Sequence, residues 1–295
     1  MPETRPSRDG GAFLAPAGAN APVGVFDSGI GGLSVLRHIR TLLPNEQLLY
    51  VADSGFAPYG EKSEAEVVAR TLAIAEFLLA QGIKALVVAC NTATAAAVVA
   101  LRQRYPSLLV IGVEPGLKPA ALLTVTKIVG VLATANTLAS ARFAALHGQI
   151  AEASGVRFLL QACNGLADQV EKGALRSAAT ATLVQRYVGP LVAQGADTLV
   201  LGCTHYPFVQ ELIEAAAARA TDQPVSIIDT GDAVARQLSR LLTQQALQRQ
   251  SDEAGAVTAF TTGSHTALES AFANLLKVRL QVISLATPPD SERAG

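Results

Sequence analysis

The sequence predicts an α/β fold of two pseudo-symmetric domains, each a mostly parallel β-sheet flanked by helices, with the active site in the cleft between them. Three observations lead there. Short apolar runs alternate with longer helical patterns along the chain, as βα units require. The strand-like runs are apolar without polar alternation, which marks parallel sheets covered on both faces. Three segments also recur in the same order at similar spacing. Val23-Gly24-Val25 returns as Val129-Gly130-Val131, and Ala89-Cys90-Asn91-Thr92 as Gly202-Cys203-Thr204-His205. Val113-Glu114-Pro115-Gly116 returns as Ile228-Asp229-Thr230-Gly231. The expected division is one domain over 22–113 plus 230–287 and a second over 114–229, with tails at 1–21 and 288–295.

Each element follows from local signals. Met1–Ala21, rich in Pro, Gly, Ala and charge, reads as a disordered tail; its apolar stretch Ala12–Ala15 is too short for a secretory signal, and Pro16 breaks it. Val23–Phe26 is the first strand, and Asp27-Ser28-Gly29-Ile30-Gly31-Gly32 turns the chain into a helix over Leu33–Leu43, ended by Pro44. Leu48–Ala52 is a strand and Asp53–Lys62 a loop. Ser63 and Glu66 form a capping box for a helix that runs to about Gln81 and stops at Gly82. Ala85–Ala89 is a central strand; Cys90-Asn91-Thr92 opens the next helix, which Pro106 stops, and Leu108–Val113 is the fourth strand. In the second half, strands are expected at Ile128–Leu132, Arg157–Gln161, Thr198–Leu201 and Val225–Ile228. Helices are expected over Thr134–His147, within Leu175–Gln194, after Pro207 and over Ala233–Leu247. Val257–Thr261 and Leu280–Ser284 close the chain as strands around a helix near Thr266–Leu276.

Composition narrows the function. Half of the 295 residues are hydrophobic, 16% are charged and the net charge is -1, so no basic face announces a nucleic-acid partner. No apolar run reaches the ~18 residues that span a membrane. Three cysteines, Cys90, Cys163 and Cys203, are too few and unpaired for a disulfide framework, and no Cys or His spacing suits a metal. A reducing cytoplasm is the simplest setting.

The chemistry lies at the strand ends, where open parallel sheets place their sites. Cys90 and Cys203 both stand where a central strand hands over to a helix, a position that favours thiolate through free backbone N–H groups. Two thiols facing one carbon from opposite sides suit proton removal on one face and proton return on the other. Asp27 and His205 are placed to tune or relay protons beside them. Asn91, Thr92 and Thr204 offer amide and hydroxyl groups, and Ser28 with the following glycines offers backbone N–H groups to a carboxylate. Cys163 reads as a small buried hydrophobe, and His38, His147 and His265 as surface or structural residues.

These motifs together carry a resemblance. Asp27-Ser28-Gly29-Ile30-Gly31-Gly32, Pro58-Tyr59-Gly60, Ala89-Cys90-Asn91-Thr92-Ala93, Val113-Glu114-Pro115-Gly116, Gly202-Cys203-Thr204-His205-Tyr206-Pro207 and Asp229-Thr230-Gly231, in order over Val23–Ser284, resemble bacterial glutamate racemase. The resemblance implies cofactor-independent interconversion of L- and D-glutamate, supplying D-glutamate for peptidoglycan and cell-wall biogenesis. It implies Cys90 and Cys203 as the proton donor and acceptor pair, with Asp27 and His205 as further catalytic groups. It assigns substrate contacts to Asp27, Ser28, Tyr59, Gly60, Asn91, Thr92, Thr204 and His205, and assigns Cys90 to the D-enantiomer and Cys203 to the L-enantiomer. The implied partner is a small molecule, not a nucleic acid or a membrane, and a homodimer is left open. No role for Glu114 follows. An aspartate or hydantoin racemase, or a non-catalytic amino-acid-binding protein with hinged lobes, remains the alternative on the residues alone.

Overall fold

The computed structural model describes residues 18–285. In chain order the elements are β1 (Val23–Asp27), α1 (Leu33–Leu42), β2 (Leu48–Ala52), α2 (Glu64–Ala80), β3 (Ala85–Val88), α3 (Asn91–Arg104), β4 (Leu109–Gly112), α4 (Leu117–Leu123), β5 (Ile128–Ala133), α5 (Ala135–Ala139) and α6 (Ala141–Ser154). There follow β6 (Arg157–Ala162), α7 (Leu166–Glu171), α8 (Ala178–Ala193), β7 (Thr198–Gly202), α9 (Gln210–Ala220), β8 (Ser226–Ile228), α10 (Gly231–Gln244), β9 (Val257–Thr261), α11 (His265–Ala271) and β10 (Val282–Ser284). One-turn 3-10 helices occupy Tyr59–Glu61 and Tyr206–Val209.

All strand pairings are parallel. One sheet has the order β10-β9-β2-β1-β3-β4 and the other β6-β5-β7-β8. The internal repeat is visible in these orders. β2-β1-β3-β4 of the first sheet is the same arrangement as β6-β5-β7-β8 of the second, and β9 and β10 extend only the first. The recurring Val-Gly-Val segments are the central strands β1 and β5. Between β1 and β3, and again between β5 and β7, the winding direction reverses. A crevice opens at such a switch point beyond the carboxyl ends of the strands.

Burial accounts for the strands. β1, β3 and β7 are buried along their whole length, so β-branched and aliphatic residues serve both faces. The chain passes to the second sheet after β4, where α4 packs on α6 and β7, and returns after β8, where α10 packs on α1. The Ser63 capping box forms as expected, with Ser63 accepting from the Glu66 N–H and the Glu66 carboxylate accepting from the Ser63 N–H.

The structure departs from the sequence reading in places. The expected tail over Met1–Ala21 does not extend to Ala21. Gly18–Ala21 forms a turn closed by the Ala21 N–H to the Gly18 carbonyl at 2.9 Å, and the Ala19 carbonyl accepts from Lys84 Nζ at 2.6 Å. Lys84 is buried with Glu46, its Nζ 2.5 Å from Oε2, so this short segment supplies a carbonyl that a buried cation needs. The rest of that tail, residues 286–287 of the expected first domain, and the expected C-terminal tail lie outside the described residues. Two short helices, α4 and α7, were not anticipated. Pro207 opens a 3-10 turn, and α9 starts only at Gln210. Among the described residues no helix is long and apolar enough to cross a membrane.

Candidate active site

At the end of β1 the chain turns sharply before α1. Asp27, the last strand residue, accepts the Gly29 N–H on Oδ2 at 3.0 Å, and Tyr50 on the neighbouring β2 donates its hydroxyl to the Gly29 carbonyl at 2.8 Å. The glycines are needed because the second half of the chain presses against this turn. A Cβ at Gly29 would meet the Glu171 carboxylate, and one at Gly31 the His205 ring. The sequence suggested that these backbone N–H groups approach a ligand carboxylate. In the structure Ile30 donates to the protein's own Glu171 Oε1 at 2.8 Å.

Cys90 caps α3: its sulfur accepts the Ala93 N–H at 3.4 Å and stands 3.6 Å from Ser28 Oγ. Burial pushes the Cys90 thiol up to about 12, and the negative charge of Asp27 adds to this; the Ala93 N–H and Ser28 oppose it. Cys203 is placed differently from the expectation that both thiols sit at helix N-termini. The 3-10 turn after it has no side-chain cap, and Pro207 brings no N–H. Its sulfur instead lies 3.6 Å from Nδ1 of His205. His205 Nε2 in turn lies 2.6 Å from Glu171 Oε1.

Glu171 and His205 form a charged pair. Burial would depress the imidazole, but the Cys203 sulfur and the Glu171 carboxylate together hold it well above its usual range. Burial would raise the Glu171 carboxyl, yet His205 and the Ile30 N–H hold it below its usual range. Cys203 therefore has a cationic neighbour, and Cys90 sits as a buried neutral thiol.

Both cysteines line a single cleft between the two sheets. Ser28, Tyr59, Gly60, Asn91, Thr92, Thr204 and His205 line it with them. The Asn91 amide nitrogen is buried there with no hydrogen-bond partner among the described residues, a donor available to a ligand oxygen. Tyr59 meets the cleft, but its hydroxyl is committed to Asp53 Oδ2 at 2.5 Å, where the Arg70 guanidinium also binds.

Asp27 is the one predicted site residue that does not line the cleft. It lies fully buried behind the glycine turn, with Thr204 Oγ1 3.3 Å from Oδ1. Burial raises its carboxyl to about 6, with Glu171 adding and His205 opposing.

Glu171, Thr134 and Cys163 are among the cleft residues that sequence reasoning missed. Glu171 ends the unanticipated α7. Thr134 follows β5 and joins Thr92 of the other half, hydroxyl to hydroxyl, at 3.1 Å. Cys163, read as a plain core residue, is buried but also forms part of the cleft wall. The repeat held the signal for the first two. Thr134 is the counterpart of Ser28 after the first strand of each half, and the segment carrying Glu171 follows β6 as the Tyr59-Gly60 segment follows β2.

Known proteins place this arrangement. The family model described as Asp/Glu/Hydantoin racemase matches residues 23–238. The glutamate racemase of Ectopseudomonas mendocina is 60% identical over 229 residues, spanning 78% of this chain and 85% of that protein. The crystal structure of a glutamate racemase isoform from Bacillus anthracis superposes with a TM-score of 0.80 at 33% identity, covering 92% of this chain and 99% of that one. That of the glutamate racemase from Francisella tularensis in complex with D-glutamate gives 0.78 at 28% identity, covering 93% and 100%. A cleft holding two thiols at equivalent strand ends, on a fold shared over nearly its whole length with these enzymes, places the chain in the Asp/Glu/Hydantoin racemase family, among the glutamate racemases.

Proposed function

We propose that this chain interconverts L- and D-glutamate by two-base proton transfer at the α-carbon, without a cofactor, and so supplies D-glutamate for peptidoglycan. The carrying observation is that Cys90 and Cys203, from equivalent positions in the two halves, line one cleft. The substrate α-carbon lies between them. One sulfur, as thiolate, takes the α-proton, and the other, as thiol, gives a proton to the opposite face. The product leaves with inverted configuration and the enzyme with the protonation of its two sulfurs exchanged. Following the family, Cys203 removes the proton of L-glutamate and Cys90 that of D-glutamate.

The α-proton is a very weak acid, so the carbanion-like transition state needs preorganised donors and exclusion of water. The available Asn91 amide supports the first requirement. Ser28, Gly60, Thr92 and Thr204 supply further polar contacts around the ligand. The Glu171–His205 pair holds a positive charge beside Cys203 and provides a proton relay. Asp27 acts from behind the turn, through Thr204 and the field it sets at Cys90. The setting is the cytoplasm.

The test is α-proton exchange and racemisation in deuterated water with enzyme dialysed free of pyridoxal phosphate. L-glutamate and D-glutamate are both turned over, aspartate and hydantoins poorly. Because enantiomers have equal energy, kcat/KM must agree in the two directions. Cys90→Ser and Cys203→Ser each abolish racemisation both ways. Near-normal turnover in either variant, or recovery only with pyridoxal phosphate, overturns the proposal.

A further inference from the structure

Asn136 links the two halves beside the cleft. The exposed residues of the cleft wall include Glu61 from the first half and Ala135 from the second. Ala135 opens α5, and its neighbour Asn136 reaches across. Asn136 Nδ2 donates to the Lys62 carbonyl at 2.7 Å and to the Tyr59 carbonyl at 3.1 Å. A side-chain amide nitrogen carries two hydrogens, and both are spent here. The two carbonyls bracket the 3-10 turn Tyr59–Glu61, whose Tyr59 and Gly60 line the cleft. The approach is close: a Cβ on Gly60 would lie 3.2 Å from Thr134 Cβ.

The opposite side of the cleft is joined in another way. There Ser34 Oγ donates to the Thr204 carbonyl at 2.8 Å and the Ile30 N–H to Glu171, between groups at the base of the turn. Ser34 and Thr204 are buried, whereas Asn136 is only half-buried at the rim. Hydrogen bonds that water can reach open at lower cost than buried ones. The Asn136 bonds at the rim are therefore more easily opened than the buried Ser34–Thr204 bond.

We propose that Asn136 is a positioning residue that holds the Ala57–Lys62 loop closed over bound ligand, and that release of this clasp of two hydrogen bonds opens the cleft for exchange of substrate and product. The proposal rests on the racemase reading for its kinetic consequence, but the clasp itself can be read without ligand. Asn136 touches neither the thiols nor the Glu171–His205 pair, so it acts on access and binding, not on proton transfer.

The decisive variant is Asn136→Asp. It keeps the shape but leaves only acceptors facing two carbonyls, so the clasp turns repulsive. Asn136→Ala removes the donors without adding charge. Hydrogen exchange of the peptide covering residues 54–63 is measured on ligand-free wild-type and variant enzymes, together with kcat, KM, their pH profiles and the thermal midpoint. Exchange in that peptide quickens and KM for both enantiomers rises about tenfold, the size expected for two lost hydrogen bonds. The pH profile of kcat stays as in wild type, and the thermal midpoint falls by no more than a few degrees. Asn136→Gln, which retains the donors, recovers part of the KM. Unchanged exchange and unchanged KM in both Asn136→Asp and Asn136→Ala overturn the proposal. So does a KM rise that comes with a midpoint lowered further than that and an altered pH profile, since that is loss of structure. If wild-type enzyme fails to racemise glutamate, the racemase reading falls, and the exchange rates still decide the clasp.

Discussion

Replacing Asp27 by asparagine stabilises the fold at alkaline pH and not at acid pH. Asp27 has no solvent exposure, and burial raises its carboxyl from 3.8 to about 6. In the unfolded chain the group returns to its ordinary value. Below about pH 4 both states hold the proton and the carboxyl leaves stability unchanged. As the pH rises further, the unfolded chain gives up its proton while the fold keeps it, so stability is lost; above about 6 the loss is complete. The interval is worth about 3 kcal/mol. The side-chain amide of the Asp27→Asn variant keeps an acceptor for the Gly29 N–H, but its nitrogen must face Thr204, and that exchange costs about 1 kcal/mol. The net gain at pH 8 is about 2 kcal/mol, or roughly 3 °C in Tm for a chain of this size. Thermal unfolding followed by circular dichroism at pH 4 and pH 8 measures it. A gain of equal size at both pH values, or none at pH 8, refutes the reasoning that Asp27 carries a costly buried charge.

Two further outcomes follow from the same network and from the core. Glu171→Gln keeps an acceptor for the Ile30 N–H but removes the anion that helps hold His205 protonated. Its kcat/KM falls about 100-fold, the scale of a lost acid–base partner. The deficit widens as the pH rises through the ordinary histidine range, because the unsupported imidazole then loses its proton; a loss independent of pH excludes this role. Lys84→Met leaves the Glu46 carboxylate buried without its cation and costs about 3–5 kcal/mol in denaturant unfolding. The double change Lys84→Met with Glu46→Gln recovers most of that loss, and a double variant no more stable than the single one contradicts it.

Much of the fold was legible because its signals are local. Apolar runs of strand length, the Ser63–Glu66 capping box and stops at Gly82 and Pro106 depend on near neighbours, and the elements they predicted are present. The unanticipated helices lack such signals. α4 and α7 begin after Gly116 and Gly165 with no side-chain cap, and both are too short for a helical period to stand out. Pro119 inside α4 and Asn164-Gly165 before α7 read as breaks. Missing α7 meant missing Glu171, although the repeat pointed to the loop after β6.

The sequence by itself determined the two-sheet architecture, its internal repeat and the presence of a thiol at the same strand end in each half. Periodicity and recurrence are properties of order along the chain. Only the tertiary structure decided what surrounds each thiol. Ile30 and Glu171 are separated by 141 residues, and Asp27 and Thr204 by 177, yet each pair is hydrogen-bonded. Those contacts set Asp27 behind the cleft wall, gave Cys203 an imidazolium partner and left Cys90 buried and neutral. Charge state at these groups follows from burial and from partners brought by packing of one sheet against the other, which no local pattern records.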